Sequence, residues 1–147
     1  ENDIFYKLIA GEIAGKKSPV PVHSPLYFIE VKTTTAQKIN IGNKLFGEVG
    51  MYVLAGTVKI EGNDYGSKQL LVAKNASLCE FQTNGETTLY LFGGKPFEEK
   101  RFMFWNFVHS DKDILEQAKL NWKNQNLEAF PKIPNDEKEF VPLPEKE

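Results

Sequence analysis

Cysteine is almost missing from this 147-residue chain: Cys79 stands alone, so no internal disulfide can form, and the sequence either suits a reducing compartment or is indifferent to redox, with a cytoplasmic setting expected. Histidine is nearly as scarce. His23 and His109 lie far apart, and no His-x-His, His-x-x-x-His or Cys pair supplies a short metal-ligand spacing. No apolar run approaches the ~18 residues of a membrane span. An excess of one charge is lacking too, with 18 Lys and Arg against 20 Asp and Glu. Without a basic stripe, neither nucleic acid nor a membrane surface is expected as a partner. No Ser sits in a Gly-x-Ser-x-Gly turn, and Gly93-Gly94 runs into Lys95-Pro96 rather than a helix start, which excludes a nucleophile elbow and a phosphate loop there. The opening ENDIFYKL has neither Met nor an apolar signal segment and reads as a piece of a longer protein.

What is present is enough apolar matter for one core: 41% of residues are hydrophobic and 12% aromatic. A chain of this length buries roughly 68–70% of its unfolded surface, so one domain over 1–147 is expected. PLYFIEVK (25–32) alternates, with Leu26, Phe28 and Glu30 on one side and Tyr27, Ile29 and Val31 on the other. QKINI (37–41), KQLLVAK (68–74), SLCEFQT (77–83) and TTLYLFGG (87–94) read as further strands. Residues 50–64 read as a hairpin with Ala55-Gly56 at its reversal. Short strands separated by Gly, Asn and Asp at this spacing predict a β-sandwich or barrel over about 4–108.

The period changes after residue 109. Ser110 with Asp113 resembles a capping box, and the helix is expected over about 111–124, with Ile114, Ala118 and Trp122 on one stripe and Leu115 beside it. The remainder, 125–147, holds Pro131, Pro134, Pro142 and Pro144. They forbid regular structure and predict an extended tail docked by Phe130, Ile133, Phe140, Val141 and Leu143.

Few residues point to chemistry. His23 and His109 read as surface or capping histidines, and Cys79 as a buried structural thiol. Glu80 lies between Cys79 and Phe81 in an apolar strand. Turned inward it needs a partner or a raised pKa; turned outward it is ordinary surface. Phe28, Tyr52, Phe81 and Tyr90 would line a barrel cavity, with Glu80 as a polar remnant, or would simply pack a core. The run FMFWNFVHSDKD (102–113) crowds aromatics around Asn106 just before the helix. It reads as packing that fastens the helix rather than as a site lining.

The stretch from LFGGKPFEEKRFMFWNFVHSDKD to FVPLP resembles the C-terminal half of pirin-like proteins. The matching features are Gly93-Gly94-x-Pro96 with Glu98 and Glu99, then Arg101, then the Trp105-Asn106-Phe107-Val108 block. A Ser110-led helix ending in Trp122 follows, then Phe130-Pro131 and Phe140-x-Pro-Leu-Pro; upstream, Ala10-Gly11-Glu12 and Ser18-Pro19-Val20 also match. The structural signature is therefore Arg101, Trp105, Asn106, Ser110 and Trp122.

The resemblance implies an all-β, double-stranded β-helix of the cupin or jelly-roll kind, with one C-terminal helix and an extended Pro-rich tail. It also implies a two-cupin parent whose N-terminal half holds iron or another divalent metal. Some members resemble quercetin 2,3-dioxygenases, and others are discussed as regulators of transcription factors. The cupin motifs test the site. With Gly56 as the closing glycine, Val49 stands at the Glu position and the His positions fall in 42–45. With Asn84 as the second motif's Asn, Glu80 stands at its His position. No His occupies either window, so no metal, cofactor-binding or catalytic residue is expected in this chain. The expected role is a metal-free companion module packed on an N-terminal cupin half, with homodimerisation through an exposed patch as a further expectation. The alternatives are a dioxygenase-like enzyme acting on a flavonoid, and a jelly roll that holds a small ligand.

Overall fold

The structure, a computed structural model, describes residues 3–41, 44–73, 80–136 and 139–144. The chain divides into two compact units, 1–96 and 97–147.

The first unit contains β1 (Ile4–Ile13), β2 (Lys16–Lys17), β3 (Leu26–Thr33), β4 (Ala36–Asn40) and β5 (Glu48–Ala55). It continues with β6 (Thr57–Ile60), β7 (Asn63–Gly66), β8 (Gln69–Ala73), β9 (Glu80–Asn84) and β10 (Thr87–Gly94). They form a six-stranded sheet in the order β2-β1-β3-β10-β5-β8 and a four-stranded sheet in the order β4-β9-β6-β7. The pairings are antiparallel, as in β3 with β10 and β4 with β9. The expected all-β sandwich is therefore present.

Alternation decides which face is buried. In β3, Tyr27, Ile29 and Val31 point into the sandwich, and the opposite residues on β10, Leu89 and Leu91, are buried with them. Val49, Met51 and Val53 of β5 complete that layer, and Ile39, Val58 and Phe81 face it from the other sheet. At one end the core turns polar. Thr33 Oγ1 donates to the Gly85 carbonyl at 2.8 Å, and Thr83 Oγ1 accepts from the Gln37 N–H at 3.1 Å. These bonds satisfy buried hydroxyls.

Two expectations are corrected here. Ala55-Gly56 is not a hairpin reversal, because β5 lies in the six-stranded sheet and β6 in the four-stranded one. Gly56, at φ +83°, is the corner where the chain changes sheets, and a side chain there would meet Thr87. The hairpin is β6–β7, turned by Glu61 at φ +48° and Gly62 at φ +83°, the two positive values a type I′ turn needs. The second correction concerns residues 102–108, expected as the end of the sandwich. The sandwich sheets end with Gly94.

The second unit contains β11 (Phe102–Phe104), β12 (Phe107–His109) and α1 (Lys112–Lys123). β11 and β12 form a two-stranded sheet of their own, joined by Trp105 and Asn106. The helix N-cap is Asp111, not Ser110: its Oδ1 accepts from the Asp113 N–H at 2.8 Å and the Ile114 N–H at 3.4 Å. The inward stripe also moves by one residue. Ile114 is exposed and Leu115 is buried, so the stripe runs Leu115, Ala118, Lys119, Trp122. In the tail, Phe130 and Phe140 dock on Trp122, whereas Ile133 and Val141 remain exposed.

Candidate functional site

The barrel interior is where a cupin-type metal would sit, and the register lets each ligand position be inspected. Across the six-stranded sheet, Tyr27, Gly93, Val49 and Ala73 stand opposite one another in one row, all facing inward. Val49, at the Glu position, is 0% exposed and carries no donor atom. Tyr27 is equally buried and leans over Gly93: a Cβ on Gly93 would fall 2.4 Å from the Tyr27 hydroxyl oxygen and 2.2 Å from the Glu48 carbonyl oxygen. The Phe46 ring closes on Tyr27 edge-on, at 5.1 Å.

On the facing sheet Phe81 points inward and Glu80 outward. Glu80 Oε1 pairs with Lys38 Nζ at 2.5 Å, and its Oε2 accepts from Asn40 Nδ2 at 3.4 Å. The expectation of Glu80 as a polar remnant in a cavity is thus corrected: it is a surface carboxylate in an exposed ion pair. A slip of one residue brings Phe81, not a ligand, to the interior position. Residues 42 and 43 of the His window, and Cys79, lie outside the described residues. Lys44 and Leu45 offer no imidazole. Val49, Phe81 and Tyr27 do not fit a divalent metal, which needs several N, O or S donors converging on one point. Among the described residues no group of three or more His, Cys, Asp or Glu side chains is placed to hold an ion. His23 is exposed, and His109 Nδ1 accepts from the Asp111 N–H at 2.9 Å, a local helix-start contact.

Tyr52 and Tyr90 leave the expected cavity as well. They stand opposite each other on the outer face of the six-stranded sheet, with Phe28 beside Tyr90 at 5.5 Å. The Tyr90 hydroxyl donates to Glu30 Oε1 at 3.5 Å. Of the five residues expected around a cavity, Phe28, Tyr52, Glu80, Phe81 and Tyr90, only Phe81 faces the interior. The outer face carries two cross-strand rows: Leu70, Tyr52 and Tyr90, then Val72, Gly50 and Phe92. Gly50 lacks the side chain that would block Phe92, whose ring passes 2.5 Å from where a Cβ would stand. Leu54, Leu70 and Val72 are 45%, 55% and 71% exposed, so this is an apolar surface with no cover among the described residues. Sequence reasoning missed it because both faces of β5 and β10 are apolar. The exposed pair Leu70 and Val72, two apart in a short strand, was the available signal.

Two of the signature residues, Trp105 and Trp122, belong to a separate aromatic cluster within the second unit. Trp122 is its hub, with ring centroids 5.5 Å from Trp105, 6.2 Å from Phe107, 5.3 Å from Phe130 and 5.6 Å from Phe140. Its Nε1 donates to the Val141 carbonyl at 2.9 Å, which ties the tail to the helix. Arg101 pairs with Glu99 and lies over the Phe97 ring at 4.7 Å. Asn106 is exposed in the hairpin turn and Ser110 is half-buried ahead of the cap. The cluster holds a hairpin, a helix and a tail together, which is a packing role.

Two facing antiparallel sheets joined by strands that change sheet, around a filled barrel, define a cupin double-stranded β-helix. The chain belongs to the pirin family: residues 28–128 match the pirin C-terminal cupin domain. It is 37% identical over 140 residues to a pirin-like protein of Caulobacter vibrioides, covering 95% of this chain and 46% of that one. Among solved structures it is similar to a quercetin 2,3-dioxygenase from Acinetobacter baumannii, with a TM-score of 0.80 at 25% identity over 100% of this chain and 49% of the other. A further Acinetobacter baumannii structure of that name shares the fold, with a TM-score of 0.66 at 22% identity over 84% and 44% of the two chains. The chain thus spans about half the length of these relatives. No described helix is long and apolar enough to cross a membrane.

Proposed function

We propose that this chain is a non-catalytic companion module of a two-cupin protein, whose metal chemistry belongs to an N-terminal half. The observation that carries the reading is the filled barrel: Val49 stands at the Glu position and Phe81, next to the second motif's His position, faces the interior, 0% and 1% exposed, with Tyr27 packed across Gly93. Valine and phenylalanine side chains offer no ligand atom, and the single Tyr27 oxygen falls short of the several donors a metal needs. The match to a C-terminal domain and the half-length coverage of the relatives support a second half in the parent. We assign any dioxygenase activity in such a parent to that half, and the whole to the cytoplasm, where iron and a lone reduced Cys79 are compatible.

Metal analysis tests this directly. The purified chain is incubated with excess Fe(II), Ni(II) or Zn(II), desalted and measured by plasma mass spectrometry. Less than about one tenth of an equivalent is expected. Near-stoichiometric metal that survives desalting would show that the barrel is not closed.

A further inference from the structure

The two sheets do not seal along the side where β1 and β4 run. A cavity of about 310 Å³ opens there, inside the first unit and away from the apolar outer face. Its floor is aliphatic: Leu8 from β1, Ile13 at the end of β1, Ile29 from β3 and Ile41 just past β4. Ile29 and Ile41 belong to the core itself, at 5% and 7% exposure, so the floor is fixed by packing. The mouth is different. Tyr6 stands opposite Val31, on the inner face of its strand, and brings a phenol to the opening. Lys16 and Lys44 also line the cavity, and among the described residues its lining contains no Asp or Glu. Neither lysine forms an ion pair among the described residues.

We propose that this cavity is a binding site for a small monocarboxylate with an aromatic or short aliphatic body. The body lies on the Leu8, Ile13, Ile29 and Ile41 floor. The carboxylate sits between the Lys16 and Lys44 ammonium groups and accepts a hydrogen bond from the Tyr6 hydroxyl. The volume fits such a molecule, at the small end of ligand pockets, about 300–1,000 Å³. Two cations with no counter-carboxylate select an anion, and a charge-assisted bond is stronger than a neutral one. A phenol is protonated at neutral pH without help, and desolvation pushes Tyr6 further above its ordinary value, so it is a donor there. The lysines are exposed, which screens them and keeps the affinity weak.

The test is titration of the isoleucine-methyl-labelled chain with benzoate, followed by NMR. The Ile13, Ile29 and Ile41 methyls are expected to shift saturably with benzoate. Benzyl alcohol, which has the same body without the charge, is expected to bind at least tenfold more weakly. Inorganic phosphate, which has the charge without the body, is expected to leave the methyls unmoved. The double variant Lys16→Gln/Lys44→Gln changes only exposed side chains and keeps the fold. It should lose the preference for benzoate over benzyl alcohol. Unmoved methyls with benzoate, equal affinity for benzoate and benzyl alcohol, a phosphate response of the same size, or unchanged benzoate affinity in the variant would each overturn the proposal. None of these outcomes bears on metal uptake, so this site and the companion role fail separately.

Discussion

Trp105 holds a backbone conformation that a bulky residue avoids. Its φ is +50°, at the first of two residues joining β11 to β12. A non-glycine residue there costs ~1–3 kcal/mol and persists only where surrounding contacts demand it. The contacts are the rings of Phe107 at 5.8 Å and Trp122 at 5.5 Å. Such pairs contribute about 0.5–1.5 kcal/mol each beyond the area they bury. Trp105→Ala removes the rings and keeps the strain, and should lower stability by about 2–4 kcal/mol. Trp105→Gly removes the rings but relieves the backbone, and should be about 1 kcal/mol more stable than the Ala variant. Urea unfolding followed through the remaining tryptophan, Trp122, measures both. An Ala variant as stable as the native chain would mean that the ring cluster contributes nothing.

At the level of elements, the helix start gives an equally sharp contrast. Asp111 accepts two backbone N–H bonds, whereas Ser110 makes no bond to the helix among the described residues. Asp111→Ala should therefore cost about 1 kcal/mol, and Ser110→Ala a few tenths at most. Thermal unfolding of the two variants decides it, and a larger loss at Ser110 would return the cap to the residue the sequence pattern favoured. The pattern misled because both are good cap formers, one position apart, and only the local backbone selects between them. Similar limits appear elsewhere. β3 was legible because apolar and half-polar residues alternate along it, and β10 as a short apolar run bounded by turn residues. β1 was not read as a strand, because a bulge between Leu8 and Ala10 breaks its two-residue period. Ala55-Gly56 looked like a reversal because a glycine at positive φ serves a sheet corner as well as a hairpin. The scarcity of histidine and cysteine could be read from composition alone. The outward turn of Glu80, Tyr52 and Tyr90 could not, since a period of two says that faces alternate but not which face is inside.

At the scale of the whole molecule, the outer face of the six-stranded sheet asks for a cover. Leu70 and Val72 lie on the edge strand β8, where an apolar, unpaired margin invites association. The rows behind them continue through Tyr52 and Phe92 without a charge; Glu30 and Lys32, which pair with each other at 3.2 Å, and Glu48 at the start of β5 bound the apolar area. In the proposed companion role this face would pack against the N-terminal cupin half. Leu70→Lys/Val72→Lys tests it, because both side chains already face solvent and lysine on an edge strand is compatible with the fold. The native chain mixed with the separately expressed N-terminal half should elute as a one-to-one complex in size-exclusion chromatography. The double variant should keep its melting temperature and lose at least tenfold in affinity by calorimetry, which is about 1.4 kcal/mol. Sedimentation of each chain alone separates the other occupant. A native homodimer that the same two lysines dissolve, together with unchanged affinity for the N-terminal half, would assign the face to a second copy of this chain and remove it from the companion interface.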